Sequence, residues 1–329
     1  MADLRYDPVF GIWVAIATKR RERPMEFVPT EQIHKQIVCP FCSGNENETP
    51  TPVVTYAADG QPLTADDDPS SWAVRIMPNK YPSLRQDKGI TTCGPYQCES
   101  KDGIQELVIP TPRHVASVSE LTIEELSLSL QCCQIRVSEL QQLSSIEHVM
   151  LFFNCRSAAG ASLEHIHFQI MGSPVLSSFL AGRTARNKEN IAKTGRSLMT
   201  SLLDWETEQE KRIVKETKNF VMFCPFASRF AFQVWVVPKS QDHSYSQMPT
   251  EFHHELAELF HAYVTKLEEL LESPGYNLLL HLAPNGATEK DHWFFEICPR
   301  LNRMAGFELG TDVWVNPVPP DLAAKRLQF

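Results

Sequence analysis

The chain has 329 residues, 43% of them hydrophobic and 22% charged, enough to bury a sizeable core in one to three domains and to exclude wholesale disorder. Its 31 Lys and Arg against 40 Asp and Glu give a net charge of −9. That counts against a general nucleic-acid binder, which needs a basic face to displace counterions, but leaves room for a local basic pocket. The amino terminus lacks the apolar stretch of a signal peptide, and no apolar run approaches the ~20 residues of a spanning helix. Nine cysteines in no regular framework then read as reduced thiols of a cytoplasmic protein, some of them available to a metal.

In chain order, residues 10–17 are apolar and rich in Ile, Val and Trp, and predict a strand that runs into the basic cluster of residues 19–23. Residues 43–70 are rich in Asn, Asp, Thr and Pro and predict a long loop. Short strands follow at 72–77 and 106–109, the second closed by Pro110. Thr122 followed by Glu125 has capping-box spacing and starts a helix that runs to about Leu143. Strands are predicted at 149–154 and 164–171, joined by small residues, and residues 177–218 are charged, mainly helical and connect two halves.

The halves repeat. Val108-Ile109-Pro110 resembles Val236-Val237-Pro238, His114 matches His243, the helix from Thr122 matches one from Thr250, and the strand of His167 matches the strand of Glu296. The offsets stay at 128 or 129 residues, which argues for duplication of one α+β unit over coincidence. The expected division is 1–175 and 176–329.

The sharpest chemical feature is Ser162-Leu-Glu-His165-Ile-His167-Phe-Gln169. On a strand, His165, His167 and Gln169 share one face while Ile166, Phe168 and Ile170 cover a core on the other. A lone histidine is usually structural, but three such side chains in a row each need a partner if buried, which favours a site. Cys39-Pro-Phe-Cys42 is followed by a loop rather than a helix, which favours a zinc knuckle over a redox pair or two unrelated thiols. Zinc wants about four ligands, and His114 and His165 are the candidates for the other two. Arg20 and Arg23 suit phosphate by their planar donors, although a basic cluster taken alone is more often a solvated face. Asn154, Arg156, Gly160 and Ser162 lie on a small-residue loop whose amides and hydroxyl suit a phosphate, and no P-loop or dinucleotide fingerprint is present. These parts fit phosphoryl or nucleotidyl transfer through a neutral histidine, with the phosphate charge balanced by fixed donors.

Nearly end to end, these motifs resemble the galactose-1-phosphate uridylyltransferases and their plant relative ADP-glucose phosphorylase, members of the histidine-triad superfamily. The resemblance runs from Arg5-Tyr-Asp-Pro-Val-Phe-Gly-Ile-Trp13 through Asn79-Lys-Tyr-Pro82 and the histidine row to His292-Trp293 and Gly306-Phe-Glu-Leu309. It implies a duplicated histidine-triad unit of antiparallel sheets with long helices packed on them, and a homodimer with sites completed across the interface. His167 would be the nucleophile that takes a nucleotidyl group from a nucleotide sugar, releasing a sugar 1-phosphate before a second acceptor arrives. Gln169 would hydrogen-bond the transferring phosphoryl group, Ser162 a phosphate oxygen, and Arg20 and Arg23 would lie near the phosphates. Asn79 and Asn154 would line the nucleotide pocket, and Cys39, Cys42, His114 and His165 would hold a structural Zn2+. The resemblance thus reverses the solvated reading of the arginines. Ile166 and Phe168 replace the variable residues of the classical H-P-H-G-Q. Glu296-Ile297-Cys298 stands where some relatives carry a metal-binding H-x-H, which counts against a complete second metal site although His281 and His292 remain. The stretches 306–311 and 316–318 are closest to the ADP-glucose phosphorylase branch. Donor (UDP- or ADP-sugar) and acceptor (hexose 1-phosphate or orthophosphate) therefore stay open, with a histidine-triad hydrolase as a further alternative.

Overall fold

The computed structural model describes residues 3–18, 38–84, 103–240, 244–287, 292–301 and 304–329. Ten strands form one antiparallel sheet. Strands β3 (Val54–Tyr56), β4 (Val74–Pro78) and β5 (Ile104–Ile109) lead from one edge to β7 (Phe168–Ser173) and β6 (His148–Cys155). The sheet continues through β11 (Tyr276–His281), β12 (Phe294–Pro299), β10 (Val234–Pro238) and β9 (Phe220–Phe223) to β8 (Ile213–Glu216). Outward from the β6–β11 seam the order is β7, β5, β4 on one side and β12, β10, β9 on the other, so each half contributes the same succession of strands.

Two long helices cover one face. Helix α1 (Ile123–Gln141) starts at the expected capping box: Thr122 accepts from the Glu125 amide at 3.2 Å and the Glu125 carboxylate accepts from the Thr122 amide at 2.9 Å. Its buried residues Leu126, Leu130, Cys133, Val137 and Leu140 recur with helical period and face the sheet. Helix α4 (Glu251–Leu270) does the same in the second half through Leu256, Phe260, Val264 and Leu267, and packs beside α1. Strand β6 shows why the site lies on the opposite face: Val149, Leu151, Phe153 and Cys155 are buried under the helices, whereas His148, Met150, Phe152 and Asn154 are only half-buried.

The opposite face is partly covered by α2 (Ser178–Thr194), α3 (Leu198–Gln209) and a small sheet. In that sheet β1 (Asp3–Asp7) pairs antiparallel with β2 (Ile12–Ile16), and β13 (Trp314–Asn316) runs parallel to β2. Val9, Phe10 and Ile12 pack on Met199, Leu203, Trp235 and Phe294, so the amino-terminal residues lie against strands of the second half. The short helices α5 (Gly306–Thr311) and α6 (Pro320–Leu327) flank β13. Among the described residues no helix is long and apolar enough to cross a membrane.

Local expectations shift at several places. The residues read as one loop over 43–70 contain β3, and β1 escapes the sequence reading because its Asp-Leu-Arg-Tyr-Asp carries too few apolar residues. Residues 164–167 are not strand: β7 begins at Phe168, and the Ile166 amide instead bonds the Val115 carbonyl at 2.8 Å, beyond the end of β5 at Pro110. His243, the expected counterpart of His114, lies outside the described residues, as do Arg20 and Arg23.

Candidate active site and metal cluster

Three separated segments meet at the end of β5 and the start of β7. Cys39 and Cys42 come from the loop before a single 3-10 turn at Glu46–Glu48, His114 from the segment after β5, and His165 from the bend that leads into β7. Their donor atoms all lie within 4.8 Å of one another. His165 Nδ1 is 3.5 Å from Cys39 Sγ and 3.6 Å from Cys42 Sγ, and His114 Nδ1 is 3.3 Å from Cys42 Sγ. Ligands held tetrahedrally at zinc bond lengths stand about 3.3–3.8 Å apart, and these three separations fall in that range, so the cluster could hold a four-coordinate ion of the zinc class. Burial, reinforced by the neighbouring Cys39, pushes the Cys42 thiol up to about 11. Two thiolates side by side would repel each other unless a cation joined them.

The histidine row then divides by tautomer. A carbonyl oxygen only accepts, so the 3.2 Å contact of His165 Nε2 with the Thr111 carbonyl puts the proton on Nε2 and leaves Nδ1 with its lone pair toward the sulfurs. His167 is the reverse. Its Nδ1 donates to the carbonyl of His165 at 2.9 Å, which leaves Nε2 unprotonated in the neutral ring. Burial lowers the His167 pKa, with that hydrogen bond opposing, so the ring is neutral at pH 7. Phe41, itself buried, packs its ring against both imidazoles, with centroids 5.9 Å from His165 and 5.3 Å from His167.

Gln169 follows on β7, directly opposite Phe152 of β6. Asn154 lies two residues further along β6, opposite Asn277 of β11. Gln169 Oε1 accepts from Gln105 Nε2 at 3.1 Å, and Asn154 Oδ1 accepts from Asn277 Nδ2 at 2.7 Å. After Asn154 the chain turns through Arg156, at φ 64°, and Gly160, at φ 91°. Arg156 Nη1 reaches the Pro274 carbonyl at 2.8 Å, which pins the turn to the second half. Ser162 is exposed at its end. Asn79 is half-buried beyond β4, its amide bonded to the Gln105 carbonyl at 2.8 Å, and its side chain accepts from the Tyr81 amide.

The structure therefore joins Cys39, Cys42, His114 and His165 in one cluster. It puts half-buried Gln169 and Asn154 on the sheet face away from the long helices, with buried His167 where the chain enters β7, and bonds the Asn79 amide to the Gln105 carbonyl. Sequence reasoning missed Thr111, whose carbonyl selects the His165 tautomer, and also Gln105 and Asn277. Phe41 was legible only as the filler of the Cys-Pro-Phe-Cys motif.

In the second half Glu296 lies on β12 opposite Trp235 and Leu279, as Gln169 of β7 lies opposite Leu107 and Phe152. Glu296 is fully buried and accepts from Arg229 Nη2 at 2.7 and 2.8 Å, from His281 Nε2 at 2.8 Å, and from Gln233 and Trp235. Burial alone would raise this carboxyl, but the Arg229 charge and the His281 N–H hold it well below the usual carboxylate range. Among the described residues that face carries a closed ion-pair network in place of a metal cluster.

Comparison with known proteins places this geometry. Residues 1–177 match the family model "Galactose-1-phosphate uridyl transferase, N-terminal domain", and residues 110–328 match a domain of unknown function, DUF4921. The chain is 30% identical to an ADP-glucose phosphorylase of Arabidopsis thaliana, over 99% of this chain and 92% of that one. It is 26% identical to a galactose-1-phosphate uridylyltransferase of Thermotoga maritima, over 100% and 98%. A crystal structure of an Arabidopsis thaliana ADP-glucose phosphorylase with bound ADP-glucose superposes with a TM-score of 0.83, at 26% identity, covering 100% of this chain and 98% of that one.

Proposed function

The chain belongs to the galactose-1-phosphate uridyl transferase family and is an enzyme of the nucleotidyltransferase type, and on that premise we propose that it transfers UMP or AMP between a nucleoside-diphosphate sugar and a sugar 1-phosphate through His167. The observation that carries this reading is the Nδ1–H bond to the His165 carbonyl, which leaves Nε2 as a nucleophile held in a fixed direction. Nε2 attacks the α-phosphorus, the P–N bond forms, and the bond to the oxygen bridging the two phosphates breaks, so the sugar 1-phosphate leaves with that oxygen. An oxygen of the acceptor phosphate then attacks the same phosphorus and the P–N electron pair returns to Nε2. Gln169, Asn154 and Ser162 donate to the phosphoryl oxygens on which negative charge rests. Asn79 contacts the nucleoside, and Arg20 and Arg23 neutralise the diphosphate. Cys39, Cys42, His114 and His165 would hold Zn2+, which would tie the three segments together and, with four protein ligands, leave no open position for substrate. We read the enzyme as cytoplasmic, homodimeric and built of two halves meeting at residue 175.

A second reading, an ADP-sugar phosphorylase in which orthophosphate is the acceptor and ADP the product, is favoured by the 30% identity with ADP-glucose phosphorylase over almost the whole chain. Both readings share the covalent step. Intact-mass spectrometry after incubation with UDP-glucose, and separately with ADP-glucose, should show one added nucleotidyl group in the wild type and none in His167→Ala. Absence of an adduct from either donor would refute the mechanism. Adding galactose 1-phosphate or orthophosphate to the isolated adduct then separates the two readings by product, and rapid discharge by water alone would mark a hydrolase.

A further inference from the structure

The two carboxamides that flank His167 are each engaged through oxygen. On the β5 side, Gln105 Oε1 accepts from the Ser83 amide at 2.8 Å and from the Ser83 hydroxyl at 2.9 Å. That fixes which way the Gln105 amide points, so its Nε2 faces Gln169 and donates to Gln169 Oε1 at 3.1 Å. On the β11 side, Arg300 Nη1 donates to Asn277 Oδ1 at 3.2 Å. Both Asn277 amino hydrogens are then committed, one to Asn154 Oδ1 at 2.7 Å and one to the Ala159 carbonyl at 2.8 Å. The relays begin at groups that only donate here, an amide N–H and a guanidinium, so their polarity cannot reverse without breaking the first bond.

A carboxamide has one accepting end and one donating end. With its oxygen held, each of Gln169 and Asn154 keeps its NH2 as the donating end, Asn154 Nδ2 on the Gly160 side of the turn, and the β6–β7 register carries the chain from Gln169 to His167 alongside Asn154. A phosphoryl group beside His167 is anionic and only accepts. We propose that Gln105 and Asn277 are positioning residues that fix the polarity of the Gln169 and Asn154 amides, so that two preoriented N–H donors face the transferring phosphoryl group. This rests on the reading of His167 as the nucleotidyl acceptor. The gain is preorganisation: the amides need not flip when the anion arrives or when its charge redistributes in the transition state. It also gives the second half a part in the chemistry, because Asn277 and Arg300 act on Asn154 across the β6–β11 seam.

The test measures adduct formation in a single turnover at saturating nucleotide sugar. Gln169→Met removes a phosphoryl donor and should slow the step by about 10²-fold. Gln105→Met keeps the size and removes only the relay, and should slow the step by roughly 5- to 10-fold, the order expected when an oriented donor must be reoriented in each turnover. In the Gln169→Met background the Gln105→Met change should have no further effect, and thermal midpoints should stay within about 1 °C of the parent. Asn277→Asp sets a carboxylate oxygen against both Asn154 Oδ1 and the Ala159 carbonyl, so it should lower the thermal midpoint as well as slow the step, and its kinetic effect should vanish in an Asn154→Ala background. If Gln169→Met is harmless, the reading of the site itself fails. If Gln169→Met is damaging but Gln105→Met costs the same factor in both backgrounds, Gln105 acts on the structure alone and the proposal is overturned.

Discussion

Replacing Glu296 with Gln tests whether the second-half network is a closed ion pair whose members depend on one another. Glu296 is fully buried and the Arg229 side chain is only 12% exposed, so neither group can turn to water when its partner is lost. The amide keeps the shape but removes the charge that offsets Arg229. It also sets an NH2 donor against either the Arg229 guanidinium or the His281 N–H, which now donate to Glu296 at 2.7–2.8 Å. Breaking a buried pair by neutralising one member costs about 3–5 kcal/mol. At ~2.1 cal/mol/K per residue, a chain of 329 residues has an unfolding entropy of about 0.7 kcal/mol/K. The thermal midpoint should therefore fall by about 4–7 °C in scanning calorimetry. The double replacement Glu296→Met with Arg229→Met removes both charges and leaves apolar side chains among Phe10, Phe230 and Trp314, which now pack on the guanidinium. It should recover most of that loss. A single mutant within about 1 °C of wild type, or a double mutant less stable than the single, would refute the coupled-pair reasoning.

Stripping the metal with a chelator should lower the thermal midpoint by more than about 5 °C, because the cation would tie three segments distant in the chain, and an unchanged midpoint would rule out the four-ligand assignment. His148 and His292 are both held down at about 4, chiefly by burial. Both are neutral in the native state and take up protons on unfolding, near pH 6.5. Their contribution is thus fully present above pH 6.5 and is lost as pH falls toward 4, by about 2 kcal/mol each at pH 5. Urea titrations at pH 7.5 and 5 should show this, and a His148→Gln variant should remove its own share, about 2 kcal/mol, of the difference between the two pH values. Gly275 lies under the loop after β6: an added Cβ would come within 2.9 Å of Ala158 Cβ and 3.2 Å of the Cys155 carbonyl. Gly275→Ala should cost about 1–3 kcal/mol by overpacking and lower the rate of adduct formation by shifting the turn that carries Ser162. A wild-type midpoint and rate would show that the loop yields freely.

Local chemistry is what the chain carries on its face. The capping box at Thr122 and Glu125, the period of α1, the Cys-Pro-Phe-Cys knuckle and the H-x-H-x-Q row all involve residues within a few positions of one another, so spacing alone reveals them. The repeat was legible too, since the constant offset anticipates the matching strand succession on the two sides of the β6–β11 seam. Tertiary structure decided the rest. The alternation argument put His165, His167 and Gln169 on a strand, but Pro110 ends β5 before it could pair with residues 164–167. The two histidines keep a common side because Phe41 wedges against both rings. Which nitrogen of each ring bears its proton depends on a carbonyl 54 residues away for His165, and on the local backbone turn for His167. The partners of Gln169 and Asn154 lie 64 and 123 residues distant. A sequence lists donors and acceptors, but an amide or imidazole acquires a direction only when strands from distant parts of the chain are brought into register beside it.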